Sequence, residues 1–225
     1  MSAIVKPKIR RICLYGGPGT GKSTTASDLF AEFKRMCVDS EVDRQFELIQ
    51  EFVKQWAWEG KSPKGFDQVF IFANQQQREE IPLRAGVHHI FTDSPLFLGA
   101  AYARKYHSKT FNSLISLAEL HEEEYPGLHI FLERGDRPYV GKGRYEDADK
   151  ARRMDDYIRS LLDLYVGSEN YLTMPYNDRD QIVATIADRL DLSKYSAKEE
   201  PEARSFPQAD ARAVAEYHSS GGSDF

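Results

Sequence analysis

The sequence predicts an α/β protein, a parallel sheet covered by helices on both faces in a three-layer α/β/α arrangement. Short β-rich runs (RRICLY, FELIQ, HHIFTD, LHIFLE, YLTM) recur along the chain, separated for the most part by stretches with apolar residues at helical spacing. Strands that alternate with helices need crossovers, which makes the sheet parallel and buries both of its faces. The third observation is GGPGTGKST, residues 16–24, set between an apolar run and a helical one. A loop so rich in glycine adds nothing to a core. Its order, Gly16, four residues, then Gly21, Lys22 and Ser23, is that of a phosphate-binding loop.

Taken in order, residues 10–15 predict a buried strand, and the helix after the loop carries Ala26, Leu29, Phe30 and Phe33 on one apolar face. Phe46 to Gln50 predict a short strand. A helix is expected from Glu51, because Ile49, Phe52, Val53 and Trp56 share helical spacing. Residues 66–80 have helical length, with Val69, Phe72, Ala73 and Gln76 on a mixed face. Residues 88–93 predict a strand ending on an acid, after which Pro95 suits the first turn of a helix reaching Tyr106. LHIFLE (128–133) repeats the strand pattern. RGDRPYVGKGRYEDAD (134–149) has little that packs and predicts a mobile basic lid loop. A helix bearing Met154, Ile158, Leu161, Leu162 and Tyr165 follows, then the strand YLTM (171–174) and a closing helix marked by Ile182, Val183, Ile186 and Leu190.

These elements define one domain over 10–192, preceded by a basic segment, 1–9, and followed by residues 193–225. The last stretch has few large apolar residues and ends in Ser and Gly, the composition of a disordered tail. No apolar run approaches the roughly 18 residues of a membrane span, and the N-terminus lacks the apolar stretch of a secretory signal, so cytoplasmic residence is expected. Two cysteines, Cys13 and Cys37, cannot build a disulfide framework or a metal cluster. A net charge of -5 gives no global attraction for nucleic acid, leaving only a local basic groove to provide it.

The chemistry starts from the loop. Gly16, Gly17, Pro18, Gly19, Thr20 and Gly21 turn the backbone so that its amides face phosphate oxygens, and the helix behind adds the positive end of its dipole. Lys22 is expected to reach the β and γ phosphates of ATP, Ser23 to hold Mg²⁺ through its hydroxyl, and Thr24 to touch the α phosphate. In an open parallel sheet the site lies at the carboxyl ends of the strands, where Glu51 and Asp93 fall. Asp93 either coordinates Mg²⁺ or takes the acceptor's proton; Glu51 is either the base or a hydrogen-bond partner of an acceptor hydroxyl. Arg137, Lys142 and Arg144 in the basic loop, with Arg152 and Arg153 behind them, are placed to stabilise charge on a transferring phosphoryl group.

With these pieces in view, the chain resembles the AAA_28 group of P-loop kinases. The resemblance is carried by the phosphate loop, the ELIQEFVKQW segment, the FANQQQREE helix, the FTDSP strand end and RPYVGKGRYED, and covers about residues 10–190. That group includes the ribosylnicotinamide kinase domain of NadR-type salvage proteins and is similar to nucleoside and nucleotide kinases more widely. The resemblance implies that Glu51 matches an acceptor-contacting glutamate, Asp93 the acid ending the third element, and Arg144 a lid arginine. Lys54 stands where that group has an arginine, and Lys142 where it has an aspartate, which implies altered acceptor contacts. The chain is also similar to stand-alone bacteriophage kinases, including those that phosphorylate 5-hydroxymethyluracil within DNA.

Three classes of function therefore stand: an ATP-dependent kinase of a nucleoside-type acceptor, free or in DNA, an ATPase switch driving a partner, and a nucleotide-binding module without turnover. The second needs a helical lid domain, which the weakly apolar residues after Ser193 are not expected to supply, and size and the lid sequence favour the kinase.

Overall fold

The computed structural model describes residues 8–106, 109–135 and 147–193. The basic N-terminal segment before Lys8, the tail and most of the expected lid loop lie outside the described residues. All five expected strands form, their ends shifted by a residue or so: β1 (Arg11–Tyr15), β2 (Phe46–Ile49), β3 (His89–Thr92), β4 (Gly127–Glu133) and β5 (Tyr171–Pro175). They make one parallel sheet in the order β2-β3-β1-β4-β5.

Alternation along β1 divides the core. Ile12 and Leu14 face one side, packing with Leu29 and Phe33 of α1 (Lys22–Asp39) and with Ile182 and Ile186 of α7 (Arg179–Arg189). Cys13 and Tyr15 face the other, against α3 (Asp67–Arg84), α4 (Leu96–Lys105), α5 (Phe111–Glu124) and α6 (Ala148–Leu162). Helices on both faces complete the three layers. Both cysteines are buried free thiols, and no described helix is long and apolar enough to cross a membrane.

Three readings need correction. The helix expected from Glu51 begins later, as α2 (Lys54–Trp58): the Phe52 amide donates to Gln75 Oε1 at 2.9 Å, which holds the strand end open and leaves Glu51 in a loop. The buried face of α3 is Gln68, Ile71, Phe72, Gln75, Glu79 and Leu83, while Val69 and Ala73 are exposed. Polar groups sit inside because buried partners meet some of them. Helix α5 was not foreseen; Phe111, Leu114, Ile115 and Ala118 have helical spacing, but exposed Leu117 and Leu120 on its other side blur the stripe. In addition, Pro95 caps α4 from one position outside it.

The polar partners form one network across the helix–sheet interface. Arg11, 2% exposed, donates to Glu79 Oε2 at 3.1 Å, to Glu122 and to the Tyr125 carbonyl at 2.7 Å. Glu79 also accepts from Thr92 Oγ1 at 3.1 Å and contacts His121 Nε2 at 3.2 Å. Glu122 contacts His129 Nε2 at 3.1 Å, and the other nitrogen of that ring meets the Tyr15 hydroxyl at 2.9 Å. Burial alone would raise the Glu122 pKa, but the hydrogen bond and charge of His129, the charge of Arg11 and the Gly127 amide bring it down to about 2. His89 goes down to about 3, mainly because burial penalises its charged form, with Arg44 adding repulsion.

Two outcomes follow from this burial. Glu79→Leu leaves the Arg11 charge poorly met and should cost about 3–5 kcal/mol of stability, measured by denaturant unfolding. In acid, the unfolded chain protonates His89 below pH 6.5 while the folded chain refuses the proton until about pH 3, so stability falls as pH falls through that window. Glu122 adds a second loss in the same direction, from pH 4.5 down to about 2. His89→Gln should therefore flatten the loss between pH 6.5 and 4.5, worth about 1.4 kcal/mol per pH unit, and make the limb below pH 4.5 shallower while leaving the Glu122 share of it in place.

Candidate active site

The site is built where three neighbouring strands end. Cys13 is level with Thr92 and Ile49 is level with Thr92, so the segments after β1, β3 and β2 emerge side by side. They carry the phosphate loop, Asp93 and Glu51. Between β1 and β3 the chain changes direction across the sheet, the crevice where open α/β sheets bind ligands.

The loop closes directly onto α1. Gly21 caps that helix with φ +96°, a left-handed conformation that a residue with a Cβ adopts only under strain. No side chain caps the first turn, which leaves its amides for an anion. Lys22 Nζ donates to the carbonyls of Gly16 at 2.7 Å and Gly17 at 3.0 Å. Thr20 is buried and its hydroxyl donates to the Gly17 carbonyl at 3.0 Å. Burial lowers the Lys22 pKa, and the carboxylates of Glu51, Asp93 and Asp155 oppose that shift.

A cavity of about 270 Å³ joins these parts. Pro18, Gly19, Gly21, Lys22, Ser23 and Thr24 line one end of it. Glu51, Lys54, Gln68, Asp93, Tyr102 and Tyr106 line the remainder, with Pro63, Ile71 and Leu98 as apolar wall. The structure thus brings Glu51, Asp93, Lys22, Ser23 and Thr24 together as expected from the sequence. Gly16, Gly17 and Thr20 do not line the cavity, and the Gly17 amide, expected to face a phosphate, donates instead to the Asp155 carboxylate. Arg137, Lys142 and Arg144 fall outside the described residues, and Arg152 and Arg153 are exposed on α6.

Asp93 is 3% exposed, and its Oδ1 has no hydrogen-bond partner. A buried carboxylate oxygen without a partner is costly unless a ligand meets it, and together with the Ser23 hydroxyl it offers the hard oxygen donors that Mg²⁺ prefers. Among the described residues no cluster of three His, Cys, Asp or Glu forms a metal site by itself. The residues therefore fit Mg²⁺ held jointly with nucleotide phosphates and water.

Several cavity residues were not singled out from the sequence. Tyr102 and Tyr106 stand four apart on or next to α4, a spacing that puts them on one face, and Gln68 is the second residue of α3, ahead of its apolar run. Asp155 and Arg134 were also missed, although an acid at Asp155 shares a helical face with Ala151 and Ile158.

The AAA_28 family, described as an AAA domain, matches residues 11–167. No curated protein sequence matches the chain. Among solved structures, thymidylate kinase from Candida albicans superposes with a TM-score of 0.57 at 15% identity, covering 87% of this chain and 96% of that one. Deoxyadenosine kinase from M. mycoides gives a TM-score of 0.49 at 11% identity, covering 80% and 98% respectively. The first of these likenesses is one of fold.

The two acids are separable by experiment. Asp93→Asn should raise the Mg²⁺ concentration needed for half-maximal ATP turnover by about tenfold or more, with activity partly restored at high Mg²⁺. Glu51→Gln should lose activity that added Mg²⁺ does not restore, as read from Mg²⁺ titrations of the two variants.

Proposed function

The chain belongs to the AAA_28 family, and from that premise we propose that it is an ATP-dependent kinase that transfers the γ-phosphoryl group to a hydroxyl of a nucleoside-type acceptor. One observation carries this reading: a single cavity has the phosphate loop at one end and, around the remainder, two carboxylates, a buried glutamine and two tyrosines. Donor and acceptor can meet there without leaving the crevice.

Each residue has a task in that reaction. The first-turn amides of α1 and Lys22 hold the β and γ phosphates of ATP and offset the charge that spreads over the transferring group. Ser23 and Asp93 would hold Mg²⁺, which supplies Lewis-acid neutralisation of those phosphates. Glu51 accepts a hydrogen bond from the acceptor hydroxyl. As that oxygen forms its bond to the γ phosphorus and the bond to ADP breaks, its proton passes to the carboxylate. Tyr102, Tyr106 and Gln68 give the acceptor flat apolar contact and polar edges.

The finer reading is that the acceptor hydroxyl belongs to 5-hydroxymethyluracil in DNA. Beyond the resemblance to bacteriophage kinases, it is supported by aromatic residues in the same segments that supply Lys54, Ala57, Pro63 and Gln68 to the cavity wall. Trp58, Phe66 and Phe70 are exposed, Trp56 stacks on Phe70 at 6.1 Å, and Arg78 lies over Phe52 at 5.0 Å. Lys64 is exposed beside them, and Lys61 pairs with Glu59 at 2.5 Å. Exposed rings interleaved with cations suit a nucleic-acid strand.

The test is γ-labelled ATP with a panel of nucleosides, nucleotides and modified DNAs. We expect label on DNA containing 5-hydroxymethyluracil, none on the same DNA with thymine, and a rate that falls steeply with added salt. Single-stranded or mispaired substrate should react at least as well as duplex, since the base must leave the stack. Label on a free nucleoside or nucleotide and none on DNA overturns the finer reading and keeps the kinase. ATP hydrolysis with no labelled acceptor overturns the kinase.

A further inference from the structure

The peptide unit between Gly16 and Gly17 is held at both ends. Its carbonyl oxygen accepts from Lys22 Nζ at 2.7 Å, and its N–H donates to Asp155 Oδ1 at 2.5 Å. Because a peptide is planar, fixing the direction of the N–H fixes that of the carbonyl. Asp155 is itself clamped: Arg134 Nε donates to its Oδ2 at 2.7 Å and Nη2 to its Oδ1 at 3.3 Å. That same Nη2 donates to the Pro18 carbonyl at 2.8 Å. The pair is largely buried, at 17% and 16% exposure, where a two-point guanidinium–carboxylate contact resists reorientation.

Helix α6 comes this close only because residue 17 is glycine. A Cβ there would stand 2.6 Å from the Ala151 carbonyl oxygen and 2.6 Å from Asp155 Oδ1. Neither Arg134 nor Asp155 lines the cavity, and neither belongs to the phosphate loop.

We propose that Asp155, clamped by Arg134, is a positioning residue for Lys22: it sets the Gly16–Gly17 peptide whose carbonyl holds the lysine ammonium at the cavity. The assignment rests on the reading of this loop as the ATP site. The Asp155 carboxylate acts to keep Lys22 protonated against its burial while Arg134 acts the other way, so the assignment stands on the hydrogen-bond geometry. An ordinary structural ion pair would act on the fold and be indifferent to Lys22.

The discriminating measurement is a double-mutant cycle on Mg-ATP affinity, by calorimetric titration of the full chain, for wild type, Asp155→Ala, Lys22→Ala and the double variant. Asp155→Ala should weaken Mg-ATP about tenfold in the wild-type background and less than about twofold in the Lys22→Ala background, because effects transmitted through one residue do not add. Arg134→Gln should follow the same pattern. Equal losses in both backgrounds, or no loss in the wild type, overturn the proposal. If Asp155→Ala and Arg134→Gln both melt below the assay temperature, the pair is structural and the proposal fails as well. The cycle needs no acceptor, so a failure of phosphoryl transfer leaves it standing. Wild-type protein that does not bind Mg-ATP overturns the donor-site reading, and this inference with it.

Discussion

The Arg11 guanidinium lies inside the protein, and a buried charge is tolerable only when partners meet it. Meeting it recruits Glu79 from α3 and Glu122 from α5, and those carboxylates in turn hold Thr92 and His129. The network reaches the active site by its ends. Thr92 is the residue before Asp93, and Tyr15, bound to His129, is the residue before Gly16. One buried requirement thus fixes the two strand ends from which the candidate metal ligand and the phosphate loop depart. Whatever the network costs in desolvation, it confines both departures to one geometry.

Strand order does the rest. Because β1 and β3 are neighbours although another strand and three helices separate them in sequence, the loop after β1 and the acid after β3 share a crevice. β2 lies beyond β3 and brings Glu51 to the same edge. Glu51 stays in a loop, rather than entering a helix, because Gln75 takes the Phe52 amide. A side chain on α3 thereby decides what a residue after β2 can reach. One end of the cavity is lined by a single local loop, and the remainder by residues gathered from several elements distant in the chain.

Strands, phosphate loop and most helices were legible in the sequence because their signals are local. Gly16 to Thr24 define their own loop, and runs such as HHIFTD and LHIFLE bury both faces of a parallel sheet whatever their neighbours are. The acids Glu51 and Asp93 were legible for a related reason, since the ends of parallel strands form the binding edge.

What the tertiary structure alone decided is which polar residues go inside. Gln68, Gln75, Glu79, Arg11 and Asp155 are ordinary surface types, and each is buried or nearly so because a partner distant in the chain meets it or a cavity receives it. The Arg134–Asp155 clamp behind Lys22 joins residues 21 apart in sequence, and the Gly17 amide it restrains lies 138 residues from Asp155. Apolar spacing reports which face of a segment avoids water, and it carries no information on pairings between segments. The sequence by itself therefore determined the sheet, its loop and the edge where chemistry is placed. Folding decided how Lys22 is held, because hydrogen-bond partners exist only once the chain has brought them together.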